Sequence, residues 1–325
     1  MVEATGPVTT KPAASQVLLL AMLYSAPVLL PFLSGWLMGI LAVPVAYVLT
    51  IDGVERGRMR LAVALLIVAA ISLVTGRLLV FLSLSPLFPL GLALFQGNRL
   101  KRSPASTAAW GIIYFCSAWL AFWAIYAGLT GDNPYQQLLQ VIDTGFVAAG
   151  ELYRKNSELN MEMQIELTGI ITGLRDLVPH ILPGILVGTA LVTVWMNLAL
   201  FNRVLARALP SRVNWPPYRE WELPDQLVWL PIGSAICYIA GPEGVRDLGI
   251  NGLIVSGVLY FFQGLAVFFH LLHRWNVPGY LRAALYMILI IQSYGLILLA
   301  LLGLADIWLS MRPVSGPPGN CDRTG

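Results

Sequence analysis

The sequence predicts an all-α fold: a polytopic bundle of transmembrane helices with about 8–9 spans, some of them short or broken by proline. Three observations carry this prediction. Hydrophobic residues make up 57% of the 325 residues and charged ones only 11%, where a soluble domain carries about 25% charged residues. So little charge cannot clothe a globule of this size in water, and the solvent that suits its surface is lipid. Apolar runs of near-membrane length recur along the whole chain, and the basic residues gather in alternate connections between them.

The runs are 17–33, 36–51, 61–75, 78–95, 107–129, 180–200, 225–241, 250–272 and 282–309. A membrane helix needs about 20 apolar residues, so the second, third and fourth runs are short. Only Gly76 and Arg77 separate runs three and four, and Pro86 and Pro89 interrupt the fourth. Proline frees backbone groups that need a partner buried in protein, so this region reads as a broken or re-entrant pair as readily as two full spans. Residues 1–16 are polar, carry Glu3 and Lys11, and precede a long apolar run without a clean cleavage site. They read as a disordered N-terminal leader before a retained first helix.

With the N-terminus in the cytoplasm and nine alternating helices, thirteen of the twenty basic residues fall on the inner side, as the positive-inside bias requires. The predicted location is a bacterial cytoplasmic (inner) membrane, multi-pass. A failure of one short run to span would move the C-terminus inside. The predicted organisation is a leader at 1–16, an N-terminal membrane bundle at 17–129, an acidic amphipathic extracytoplasmic helical segment at 130–179, a C-terminal membrane bundle at 180–311 and a disordered tail at 312–325. The segment 130–179 holds seven acids against three bases, and Leu152, Leu159, Met163, Leu167, Ile170, Leu174 and Leu177 recur at helical spacing. Glu158, Glu162 and Glu166 form an acidic column on it: a solvated face, or a cation or docking strip. In 201–224, four prolines (Pro210, Pro216, Pro217 and Pro224) preclude a long helix. Trp215, Tyr218 and Trp221 there are aromatics of the kind that sit at headgroup level, beside bases that suit anionic lipid.

Catalytic signatures are absent. No HExxH, GxSxG or GxxxxGK[ST] occurs, so the chain has neither a helix-borne zinc pair nor a phosphate-cradling loop of its own. No catalytic residue, metal site or cofactor is assigned. The scattered bases exclude a nucleic-acid footprint, and the partner that composition assigns is the lipid bilayer. Cys116 and Cys237 sit in apolar runs and Cys321 in the tail; the three form no CxxC pair.

Polar residues inside apolar runs are more telling, because an unpaired polar group in hydrocarbon costs several kcal/mol. Ser256, Tyr260, Gln263 and His270 share one face of the eighth run; Thr189, Thr193 and Asn197 share a face of the sixth. Gln292 lies near the middle of the ninth run and Asp306 near its end. Asn251 reads as a helix start, where a capping role is ordinary. The ligand-binding candidates are therefore Asn197, Asn251, Tyr260, Gln263, His270, Gln292 and Asp306, with interhelical hydrogen bonding as the competing role. For Asp306 the competing role is an interfacial pair with Arg312. Gly35/Gly39, Ala42/Ala46 and Gly184/Gly188 are small-residue pairs that permit close helix approach.

The stretches WELPDQLVWLPI (221–232), LYFFQGLAVFF (259–269) after Asn251, LLGLADIWLSMR (301–312) and LPGIL (182–186) with Asn197 downstream resemble the YybS-like family of predicted bacterial multi-pass membrane proteins. That family is uncharacterised and distantly similar to the substrate-binding membrane subunits of energy-coupling-factor transporters. The resemblance implies a small helical bundle that binds a vitamin or metal and docks a partner membrane protein and ATPase subunits. Two readings stay open at this point. One is a transport-related or small-ligand-binding membrane component without its own ATPase. The other is a membrane scaffold or envelope-assembly protein that docks partners, and a lipid-modifying enzyme is a more distant third.

Overall fold

In the computed structural model, the described residues are 13–30, 32, 35, 37, 39–155, 160–292, 294–309 and 312; the leader's first twelve residues and the tail from 313 lie outside them. Among the described residues all regular structure is helical, as expected of a chain that must satisfy its backbone within itself in lipid. The α-helices are α1 (Ala13–Leu29), α2 (Ala42–Val74), α3 (Leu78–Leu82), α4 (Leu87–Arg99), α5 (Pro104–Thr130), α6 (Pro134–Lys155), α7 (Met161–Ala208), α8 (Trp229–Ala240), α9 (Glu243–Arg274), α10 (Gly279–Ile291) and α11 (Tyr294–Leu309). Among the described residues, five helical stretches are long and apolar enough to cross a membrane, or six if the bent pair α10–α11 counts as one. Two shorter apolar helices, Ala14–Leu29 and Asp225–Ala240, accompany them.

Several boundaries differ from the hydropathy reading. Runs two and three are two arms of α2, jointed at Gly53, whose φ of 80° and ψ of 172° leave the helix. That φ suits glycine and few other residues. The first arm, from Ala42, is only about 16 Å long, well short of a 30 Å hydrocarbon core. Run four divides at Pro86 into α3 and α4, as its prolines predict. The acidic segment and run six are continuous: α7 runs unbroken from Met161 to Ala208, with Pro179 and Pro183 inside it. At about 72 Å it extends far beyond a bilayer's hydrocarbon. Hydropathy marks where lipid ends, and a helix is under no obligation to end there.

The chain divides into two compact units, Met1–Ile142 with Val192–Trp215 and Asp143–Leu191 with Pro216–Gly325. In the first, α2 packs against α1 and α4, and α4 against α5. Small residues permit this: a Cβ on Gly91 would meet Val45 Cβ and the Ala42 carbonyl, and one on Gly111 would meet Val194 and Leu90. Ala42 and Ala46 are fully buried. Ser103 caps α5 by accepting the Ser106 N–H at 3.2 Å, with Pro104 in the first turn, and Gly131 ends that helix in the left-handed region. Arg77 donates to the Val28 carbonyl at 2.7 Å, covering the open end of α1.

Segment 210–228 is irregular, with single 3-10 turns at Pro210–Arg212, Tyr218–Glu220 and Asp225–Val228. Its tryptophans are covered by protein. Trp215 and Trp221 are buried, and their indole N–H groups donate to the carbonyls of Arg102 and Pro216, each at 2.8 Å. An irregular backbone needs donors near its unpaired carbonyls, and the indoles supply them. In the second unit α9 packs against α8 and α11.

Candidate functional site

The site grows from a crossing of α9 and α11. A Cβ on Gly264 would overlap the Leu299 carbonyl, and one on Gly303 would overlap the Tyr260 carbonyl. Two glycines therefore let the helix backbones touch. That contact brings Gln263, beside one glycine, to Asp306, one turn beyond the other. Gln263 Nε2 donates to Asp306 Oδ2 at 3.2 Å, and its Oε1 accepts the Leu223 N–H at 3.2 Å. Arg312 folds back over the end of α11: Nη2 donates to Asp306 Oδ2 at 2.5 Å and Nη1 to the Trp221 carbonyl at 2.6 Å. Both charged side chains are almost wholly buried, 6% exposed for Asp306 and 4% for Arg312. The expected Asp306–Arg312 pair forms, and it is enclosed by protein.

Between Asp247 and His273 no residue of α9 is an acid, lysine or arginine, and this stretch of about 37 Å is long enough to cross a 30 Å hydrocarbon core. Gln263 lies within it, against the irregular segment whose Leu223 N–H it accepts. A buried ion pair beside such a stretch is a candidate functional position. Its hydrogen bonding is incomplete among the described residues: Asp306 Oδ1, Arg312 Nε and the Tyr260 hydroxyl are buried without a hydrogen-bond partner. Tyr260 lies one turn before Gln263 on the same face of α9.

The remaining candidates are elsewhere. Asn197 is fully buried in the first unit. Its Oδ1 accepts the Ala42 N–H at 3.1 Å, and its Nδ2 donates to the carbonyls of Gly39 at 2.5 Å and Thr193 at 2.8 Å. It caps α2 and is fully used in doing so. Asn251 is not at a helix start, because α9 begins at Glu243; polar residues extend that helix past its apolar run. Its Nδ2 donates to the carbonyls of His180 and Asp247, each at 2.7 Å, and its Oδ1 accepts the Gly184 N–H. His180 C=O and Gly184 N–H are groups that an uninterrupted helix joins to each other. The amide bridges them where Pro183 disturbs α7, and Gly184 is needed because its Cβ would press on Asn251 at 2.7 Å. Replacing Asn251 with leucine strands the N–H of the buried Gly184, and an unfolding free energy lower by about 1–3 kcal/mol is expected in detergent denaturation. His270 is half-buried on α9, two turns beyond Gln263. Gln292 is exposed and non-helical, at the break where α10 and α11 bend by 107°. Among the described residues no cluster of three His, Cys, Asp or Glu is placed to hold a metal.

The glycines of the crossing and the main-chain groups of Trp221 and Leu223 were not legible from polar spacing. Gly264 beside Gln263, and Gly303 one turn before Asp306, were the available signal. The sequence matches the family described as predicted membrane protein (DUF2232) over residues 18–307. The chain belongs to that family. The match takes in Tyr260, Gln263 and Asp306 and stops short of Arg312. No curated protein and no solved structure matches the chain.

Proposed function

We propose that this DUF2232 protein is a transport-related, small-ligand-binding membrane component without its own ATPase, and that Tyr260, Gln263, Asp306 and Arg312 read the polar part of its ligand. On this reading it sits in the cytoplasmic membrane of a bacterium with the N-terminus inside, supported by the distribution of its basic residues, and works with a separate membrane partner or ATPase subunits, as the YybS-like resemblance implies. The observation that carries this reading is the buried Asp306–Arg312 pair, whose Oδ1 and Nε have no hydrogen-bond partner among the described residues, together with the equally unpartnered Tyr260 hydroxyl one turn before Gln263. A core built only for stability has no use for that arrangement, since a buried ion pair is no better than apolar packing. An interrupted segment beside the site points the same way: the irregular chain before α8 supplies the Trp221 carbonyl and the Leu223 N–H. Transporter sites are commonly built from such broken segments. Arg312 already neutralises Asp306, so the complementary ligand group is uncharged, with a donor for Asp306 Oδ1 and an acceptor for Arg312 Nε: a hydroxyl or an amide.

The scaffold reading draws on Asn197 and Asn251, whose amides are wholly engaged in joining helices. Mild-detergent purification followed by native mass spectrometry separates the two. A small molecule is expected on the wild-type protein and its occupancy is expected to fall about tenfold in Tyr260→Phe, a loss worth about 1.4 kcal/mol. The ligand-free variant keeps its stability, because the hydroxyl removed has no partner within the described residues. Recovery of envelope proteins and lipids alone, with no small molecule on either form, sinks the ligand reading in favour of the scaffold.

A further inference from the structure

We infer that one end of the first unit is a docking surface for the anionic phospholipid headgroups of a single leaflet. Four sequence-distant segments are tied together there. Arg212 donates to the Thr50 carbonyl near the joint of α2. Asn98, near the end of α4, donates through Nδ2 to the Arg212 carbonyl at 3.1 Å, and Asn214 donates back to the Asn98 carbonyl at 2.8 Å. The Trp215 indole donates to the Arg102 carbonyl, just before α5, and its ring meets Phe201 of α7 at 5.9 Å. The joint of α2, the ends of α4 and α7 and the start of α5 therefore share one level.

The charge at that level is one-sided. Arg56, Arg58, Arg60, Arg99, Lys101, Arg102, Arg203, Arg207 and Arg212 meet only two acids, Asp52 and Glu55. Asp52 is already engaged by Arg60 at 2.5 Å. Arg56, Arg58, Arg99, Lys101, Arg203 and Arg207 are exposed, and among the described residues none of the six forms an ion pair. The far ends of the same helices carry no such excess: Arg77 lies there against the Val28 carbonyl, and Asp132 follows α5. An interfacial marker sits at the basic level, where the Arg102 guanidinium lies 5.4 Å from the centroid of the half-exposed Trp110 ring. Tryptophan stacked by a cation at the end of an apolar helix belongs at headgroup depth. Unneutralised guanidinium groups around the perimeter of apolar helices meet lipid phosphates, and each exposed base adds to that attraction. Nucleic acid and soluble acidic protein do not reach a ring of charge at that depth as lipid does.

Delipidated full-length protein in neutral detergent is titrated with phosphatidylglycerol or phosphatidylcholine at physiological salt and read by native mass spectrometry. More than tenfold preference for phosphatidylglycerol is expected for the wild type. The variant Arg56→Gln/Arg58→Gln/Arg203→Gln/Arg207→Gln alters only exposed side chains, so it is expected to melt with the wild type and to lose that preference. Arg246→Gln, an exposed base of the second unit, is expected to retain it. Equal binding of the two lipids by the wild type overturns the inference, and so does a preference that survives the fourfold change. Displacement of phosphatidylglycerol by millimolar inorganic phosphate also overturns it, assigning the surface to a small anion.

Discussion

Arg312→Met is expected to lower the unfolding free energy by about 3–5 kcal/mol, the largest single-residue effect in the second unit. The change removes one partner of a buried pair and leaves the other in place. Asp306 keeps the Gln263 amide at 3.2 Å but loses the Arg312 guanidinium, inside a core that excludes solvent. The Trp221 carbonyl loses its donor at the same time. A buried carboxylate without a counter-charge is among the most costly groups a protein core can hold. The double variant Asp306→Leu/Arg312→Met removes both charges together and is expected to recover most of the loss, because apolar packing of similar volume replaces a buried pair at little or no net cost. Denaturant unfolding in detergent of the wild type, both single variants and the double variant forms a cycle that isolates the coupling. A coupling below about 0.5 kcal/mol is what exposed pairs give, and that result would mean that Asp306 and Arg312 are solvated. It would also remove the foundation of the ligand site.

Much of this arrangement was legible in the sequence. Charge scarcity and apolar runs specify helices in lipid because hydrocarbon tolerates no unpaired backbone. Pro86 marked the division of run four, and the nearness of Asp306 to Arg312 in the chain marked their pairing. What was not legible has a common cause. Hydropathy reports the solvent a residue prefers, not the state of its backbone, so it set a boundary between 179 and 180 where α7 is continuous. For the same reason it started a helix at 250 where α9 begins at Glu243. That the indoles of Trp215 and Trp221 turn inward to the carbonyls of Arg102 and Pro216 is equally invisible to residue type. The role of Asn251 was hidden because its partners are the main chain of a helix about seventy residues earlier. No local pattern encodes that pairing, though Pro183 marks the place where α7 needs it.

The glycines of the α9–α11 crossing give the second large effect. Gly264→Ala and Gly303→Ala are each expected to cost about 3 kcal/mol, the upper part of the range for overpacking. The reason lies in what the added methyl would strike. At Gly264 it meets the Leu299 carbonyl and at Gly303 the Tyr260 carbonyl and Gly264 N. These are backbone atoms, which cannot rotate away as a side chain does, so the helices must separate. Separation acts on the site directly, because the 3.2 Å bond from Gln263 to Asp306 exists only at that spacing. Gly257 on the same helix is the control: nothing lies within 4 Å of its Cβ position, and Gly257→Ala is expected to leave stability unchanged or raise it by up to about 1 kcal/mol through helix propensity. The contrast between Gly257 and Gly264, seven residues apart on α9, separates a steric crossing from a general intolerance of alanine. If all three substitutions behave alike, the helices are not in backbone contact, and Gln263 and Asp306 must be brought together by something other than the glycines. If Gly264→Ala and Gly303→Ala alone destabilise, and each also lowers ligand occupancy in the surviving folded protein, the crossing is the element that sets the geometry of the site.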